Sequence, residues 1–338
     1  MAFSQVSDGK ENQENAFLWE YTKNGGARIL AGYGASPYVM IPEKLGEVPV
    51  EELGDYCFSD SQKDKLEQRV SQRELECFGE IQPWMRILSG KYIEKVVLPD
   101  SLKKLGNLAF YNCSKLKELE FGNRLDEIGS DAFMNCIQMK KLVLRCGIHE
   151  KSGLRQILSQ RSSDTLVIFL KEEKIEAALF YPEYYEMYDE IGPAHIFALN
   201  LTGEGFRARQ CFQDGIVDLI KYDAIFEQAC KEESVRTLCT MAKNRIQYSV
   251  GLEEKAKKGY ISYLQSHAED LIKELVQKRQ LDCLECFFKK EYLPMKWLVE
   301  CIAMASESGW TQGAASMLRW QQEKKKKTVK ERYTFEDF

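Results

Sequence analysis

The segment Leu105-Gly106-x-x-Ala109-Phe110-x-x-Cys113-x-x-Leu116-x-x-Leu119-x-Phe121 recurs as Ile128-Gly129-x-x-Ala132-Phe133-x-x-Cys136-x-x-Met139-x-x-Leu142-x-Leu144, every matched pair standing 23 residues apart. The same step back from Leu116, Leu119 and Phe121 lands on Ile93, Val96 and Leu98, and Leu53-Gly54-x-x-Cys57-Phe58 is a partial earlier copy. A fixed offset of this size is the mark of a stacked-coil architecture. In each copy the last two apolar residues of Leu-x-x-Leu-x-Phe are two apart and face one side of a strand. Gly106 and Gly129 are expected at tight bends. Phe110 and Phe133 are expected as large fillers on the returning arm, and Cys113 and Cys136 as small buried hydrophobes. One coil cannot bury these groups alone. Stacked coils bury them against one another beside a parallel sheet.

Pro99-Asp-Ser-Leu-Lys-Lys-Leu-Gly-Asn-Leu-Ala-Phe-Tyr-Asn-Cys113 resembles the BspA-type leucine-rich-repeat family, whose repeat runs Pro, small polar, Ile-Gly, Ala-Phe, Cys, Leu. Ile41-Pro42 through Val48-Pro49-Val50 to Phe58 is similar to an opening repeat of that family. The resemblance covers roughly residues 16 to 170, with the clear motifs at about 92 to 145. It implies a solenoid of parallel β rungs and a surface or interaction role.

Around the repeats the chain is less regular. Phe17-Leu-Trp-Glu-Tyr-Thr22 and Ala27-Arg-Ile-Leu-Ala31 flank Lys23-Asn24-Gly25-Gly26, a hairpin signal. Such a hairpin would cover the first open edge of the solenoid. From Phe58 a regular coil would reach its strand at about residue 64, but the strand begins at Ile93, an excess of 29 residues. Leu66, Val70, Leu75 and Cys77 have roughly helical spacing, so an inserted helix bulging near 59–90 is expected. Ser152 to Arg161 reads as a short helix and Thr165 to Leu170 as the last rung. From about Phe206 amphipathic stretches follow one another: Val217–Ala229, Ser234–Asn244, Leu252–His267, Ala268–Lys278, Leu281–Lys289, Met295–Ser306 and Thr311–Trp320.

The expected fold class is therefore α+β and multidomain. It comprises a mobile tail over 1–15, a leucine-rich-repeat solenoid over 16–190, an all-helical domain over 191–322 and a charged tail over 323–338. The helical part loosely resembles degenerate ankyrin-like helix pairs, without their Thr-Pro-Leu-His signature, and a plain bundle is the alternative.

Composition narrows the partner. Forty-seven Lys and Arg face fifty-two Asp and Glu, a net charge of -5 that gives no reason to expect nucleic acid or an anionic membrane. No run of about 18 apolar residues occurs, and the start carries no apolar leader, so no membrane span is expected. Eleven scattered cysteines suit reduced thiols and a cytoplasmic setting, with export as the alternative.

Chemistry is sparse. Cys283-x-x-Cys286 lacks a second metal-ligand pair and sits mid-helix beside Leu284, Phe287 and Phe288, so packing is expected and zinc is not. His149, His195 and His267 neighbour no nucleophile. Gly203-Glu-Gly-Phe-Arg-Ala-Arg-Gln210 lacks the Gly-Lys-Ser/Thr of a phosphate loop, and Lys324 to Lys327 is followed by Glu331, Glu336 and Asp337. No cofactor and no catalytic residue is expected.

Two surfaces remain as candidates. Outward positions of successive rungs align as Lys95, Glu118, Lys141 and as Val97, Glu120, Val143, which places Glu118 between two lysines. Such a column either satisfies itself or meets a ligand. Tyr181, Tyr184, Tyr185 and Tyr188 cluster at the expected junction, where they either offer contact area or pack the seam. The function expected is a non-catalytic protein–protein interaction scaffold. The alternatives are an exported adhesin or effector, and an enzyme with its site in the helical half.

Overall fold

A computed structural model describes residues 15–62, 75–191 and 196–334, and the chain divides into compact units at 232/233. The first unit opens with β1 (Ala16–Tyr21) and β2 (Ala27–Gly34), paired antiparallel across the expected turn, where Gly25 takes φ +84° and the Thr22 N–H donates to Gly26 O at 2.8 Å. Then follow β3 (Tyr38–Met40), β4 (Lys44–Leu45), β5 (Val48–Leu53), β6 (Glu76–Phe78), β7 (Arg86–Ile87), a single 3-10 turn at Gly90–Tyr92, β8 (Lys95–Val97), β9 (Lys104–Leu105), β10 (Glu118–Gly122), β11 (Glu127–Ile128) and β12 (Lys141–Arg145). Helix α1 (Leu154–Ser159) leads into β13 (Thr165–Lys171) and β14 (Lys174–Tyr181).

These strands make the two walls of a solenoid. Along one wall β3, β8, β10, β12 and β13 are parallel neighbours, and β14 closes the row antiparallel. Along the other, β5, β9 and β11 are parallel, and the opening hairpin adds to β5 through β2. The hairpin thus covers the end of the short-strand wall. The long-strand wall begins instead with a strand of only three residues, which leaves little edge to protect.

Between the walls the repeat positions line up as expected. Val96, Leu119 and Leu142 are buried, as are Leu98, Phe121 and Leu144. Phe58, Phe110 and Phe133 stack in one column with ring centroids 5.4 Å apart at each step. The thiol of Cys113 donates to Phe58 O and that of Cys136 to Phe110 O, both at 3.1 Å, so these buried sulfurs also tie one coil to the next.

The glycines serve another purpose than the one expected. Gly106 and Gly129 do not have positive φ; the left-handed residues are Leu108 and Asp131, and Asn112 and Asn135, each pair 23 apart. A Cβ on Gly106 would lie 2.4 Å from Asp55 N, and one on Gly129 2.5 Å from Asn107 N. Glycine stands there because the backbone of the preceding coil leaves no room for a side chain.

Most of the expected inserted helix, residues 63–74, lies outside the described residues. Cys77, counted in its helical spacing, is in strand β6, paired antiparallel with β1, and β7 pairs with β2. This end of the insertion extends the short-strand wall. At the far end α1 takes the place of a further coil. Gln160 caps the open backbone there, accepting from Ala132 N and donating to Gly129 O at 2.9 Å each.

The first unit continues past the expected boundary at 190/191. A two-stranded hairpin of β15 (Tyr185–Ile191) and β16 (Ile196–Thr202) occupies the start of the stretch read as all-helical. Its apolar run Ile196-Phe-Ala-Leu pairs antiparallel with β15 and does not form a helix. The short helices α2 (Gly205–Ala208), α3 (Leu219–Ala224) and α4 (Phe226–Glu232) frame a small ribbon, β17 (Phe212–Gln213) and β18 (Ile216–Val217), so Val217 ends a strand where a helix was expected to begin. Tyr222 on α3 explains why this segment stays with the solenoid: its hydroxyl donates to Phe180 O at 2.6 Å and accepts from Phe180 N at 3.0 Å.

The second unit holds α5 (Val235–Gln247), α6 (Glu254–Ser266), α7 (Ala268–Gln277), α8 (Leu281–Lys289), α9 (Lys296–Glu307) and α10 (Thr311–Thr334). Ser234 caps α5 by accepting from Thr237 N. Helices α5 and α6 pack together, α9 packs on α10, and α7 joins the pairs by packing on α9. Cys283 is buried among Leu284, Phe287 and Phe288, and burial pushes its thiol up to about 12. Helix α10 runs to Thr334, into the expected charged tail, because Gln, Glu and Lys are good helix formers.

Candidate functional site

The outward column of the long-strand wall is registered as expected. Glu118 lies opposite Lys95 on one side and Lys141 on the other, and Glu120 lies between Val97 and Val143. Lys95 Nζ reaches Glu118 Oε1 at 2.8 Å and Glu120 Oε2 at 3.6 Å, and Lys141 Nζ reaches Glu118 Oε2 at 2.9 Å. Burial pushes the Glu118 carboxyl up, but hydrogen bonds and charge from Lys95 and Lys141 outweigh it and hold it below the ordinary glutamate range. Arg145, absent from the sequence reading, completes the network at 2.9 Å from Glu120 and 2.7 Å from Asp100. Val143 is buried, so it offers little contact area. The centre of this face is a closed set of ion pairs, with exposed Tyr38 and Met40 on its first rung.

The four tyrosines separate into two pairs. Tyr181 is wholly buried, its ring edge-on to Tyr222 at 5.6 Å, and Tyr184 is buried edge-on to Phe206 at 5.6 Å under the Arg209 guanidinium. Neither can meet a partner. Alternation decides this: Tyr181 ends β14 on its inward side, and Tyr184 N bonds Ser162 O and tucks the ring beneath α2. Arg209 is buried there, donating to Pro182 O, Gly205 O and Ser163 O, and burial lowers its guanidinium to about 10.

Tyr185 and Tyr188 are on β15 and exposed, and the sequence reading missed their companions. Tyr185, Met187, Tyr188, Leu199 and Leu201 are exposed by 58%, 55%, 64%, 48% and 40%. Tyr188 pairs across with Leu199, and Glu186 with Leu201, so these four share one face of the hairpin. Tyr185, Met187 and Asp189 share the other. The alternation Tyr-Glu-Met-Tyr-Asp was the available signal, obscured by the density of tyrosines on both sides of Pro182.

A cleft of about 490 Å³ between the opening hairpin and the short-strand wall is lined by Glu20, Arg28, Glu52, Asp55, Lys104 and Asn107. Arg28 is committed to Glu52 at 2.6 Å and to Glu20 at 2.9 Å. Among the described residues no group of three or more His, Cys, Asp or Glu could hold a metal ion, and no helix is long and apolar enough to cross a membrane. His267 stacks on Tyr263 at 4.2 Å.

Residues 85–181 match the BspA type leucine-rich repeat region, in 6 copies. No curated protein and no solved structure matches the chain. The matched segment takes in β7 to β14. Its coils continue into the unmatched residues before it through parallel pairing of β3 with β8 and β5 with β9.

Proposed function

We propose that the chain is a non-catalytic scaffold of the cytoplasm that binds a protein partner, with the BspA-type solenoid as its frame. The observation that carries this reading is the hairpin of β15 and β16, five of whose large apolar side chains stand exposed on strands paired only with each other among the described residues. A two-stranded ribbon is marginal on its own, and clustered exposed apolar groups mark interaction sites. The centre of the long-strand wall is the weaker surface, because Lys95, Glu118, Lys141, Glu120 and Arg145 already satisfy one another. The helical unit, with α7 linking two helix pairs, suits a second surface of loosely ankyrin-like kind.

The test uses the full chain as bait in native-type lysate, identifies what is retained by mass spectrometry, and titrates the purified pair by calorimetry. A saturable complex that weakens with Tyr188→Ser supports the reading. Absence of any reproducible partner, or turnover of a small molecule by the purified chain, overturns it.

A further inference from the structure

The hairpin has a chemistry of its own. No Lys or Arg occurs between Lys174 and Arg207, a stretch that includes both of its strands. Glu186 and Asp189 are exposed on β15, Glu183 is exposed just before it, and β16 carries no ionisable residue. The cations near its base are already engaged: Lys140 pairs with Asp164 at 2.8 Å, and Arg209 is buried against main-chain carbonyls. Asp189 accepts from Asn200, a neutral donor, and among the described residues no Lys or Arg pairs with it. Among the described residues β15 pairs only with β16, so the backbone groups along its other edge have no strand beside them.

An edge of this length adds a strand readily, with backbone hydrogen bonds giving affinity and alternate side chains giving specificity. A strand laid beside β15 would set its side chains against Glu186 and Tyr188 on one face and Tyr185, Met187 and Asp189 on the other. Both faces combine an acid with large apolar groups. We propose that the outer edge of β15 docks an extended segment of a partner protein that carries basic and apolar residues on each of its two faces, as a third strand. This deepens the scaffold reading and rests on it. A second copy of the chain is a poor occupant, since pairing two β15 edges would bring together two strands that carry acids and no Lys or Arg. Phosphate-bearing partners are repelled by the same charges.

The test titrates the full chain with a capped synthetic peptide repeating Lys-Lys-Val-Val, which sets both residue types on both faces of a strand, read by calorimetry and by hydrogen exchange. Saturable binding that protects amides of residues 185–191 is expected. The Glu186→Lys/Asp189→Lys variant, checked for an unchanged melting profile, should weaken it about tenfold, and so should raising salt. A matching glutamate–valine peptide should not bind. Equal binding of the two peptides, or protection elsewhere on the chain, overturns the proposal. So does self-association in sedimentation that Tyr188→Ser abolishes, because it gives the edge to a second copy. A captured natural partner whose affinity ignores the charge reversal would overturn this inference and leave the scaffold reading standing.

Discussion

The rings of Phe110 and Phe133 lie face to face, 5.4 Å between centroids and 5° from parallel, although 23 residues separate them. Phe58 stacks on the other side of Phe110 at the same distance. Both rings of the first pair are buried, so truncating either opens a cavity between coils. Phe133→Ala is expected to cost about 3–5 kcal/mol. Phe110→Ala should cost at least as much, because that ring is stacked on both sides. Urea unfolding followed by circular dichroism measures both, and an unaltered midpoint for Phe133→Ala would refute the inward stacking of the coils.

Two glycines should respond to alanine with opposite signs. At Gly129 the added Cβ meets Asn107 N and the Gly106 carbonyl carbon at 2.5 Å, backbone atoms that cannot swing aside. Gly129→Ala should destabilise by about 1–3 kcal/mol, as overpacking does. Gly259 lies within α6, exposed, with nothing within 4 Å of the added Cβ. There Gly259→Ala should stabilise by about 0.5–1 kcal/mol, the usual gain in a helix interior. Thermal melts of the two variants decide it, and a neutral Gly129→Ala would contradict the close approach of successive coils.

Gly106 and Gly129 mark how far the fold is legible in the sequence. The repeat offset revealed that position 129 equals position 106, and hence that both belong to one structural site. It did not reveal why glycine is needed, since a bend and a close approach leave the same letter. The rungs from Lys95 to Arg145 were readable because the offset is constant there, down to Glu118 facing two lysines. The coil before them was harder: Leu53 pairs with Leu105, and the intervening insertion breaks the period. The candidate site was half legible. Tyr185 and Tyr188 were singled out with Tyr181 and Tyr184, but which tyrosine is exposed depends on where β14 ends and β15 begins. That turn at Pro182 and Glu183 is set by Arg209 and Tyr222, which lie far along the chain. The same long-range bonds hold residues 205–232 with the solenoid despite their helical texture.

Glu118 should make stability depend on pH. Its folded carboxyl lies below the ordinary glutamate value of 4.5, so its contribution is present above that value and lost as pH falls through the folded one. Glu118→Gln should therefore cost about 1 kcal/mol at neutral pH, since part-exposed ion pairs are each worth less than that. The loss is limited because Lys95 keeps Glu120 at 3.6 Å. As pH falls through the folded value, the difference between the variant and the parent in urea should shrink toward zero. A difference that grows on acidification would reverse the sign and rule out the lysines as the cause.

Lys243 and Glu274 join α5 to α7 in the helical unit, Nζ to Oε1 at 2.9 Å, with side chains only 6% and 12% exposed. The two are not equivalent. Burial pushes the Glu274 carboxyl up, but hydrogen bonds from Lys243 and Lys278 outweigh it and hold it below the ordinary range. Lys278 reaches Glu274 at 2.7 Å, whereas the further partner of Lys243 is the neutral Gln280 at 3.2 Å. Removing the acid leaves a buried ammonium with an amide oxygen as acceptor; removing the base leaves the acid its second cation. Glu274→Leu is thus expected to cost about 3–5 kcal/mol and Lys243→Met about 1 kcal/mol. The double variant should cost less than Glu274→Leu alone, because no stranded charge remains. Denaturation of all three gives the coupling directly. If the double variant instead costs the sum of the singles, desolvation of Lys243 does not govern the site and the asymmetry has another origin.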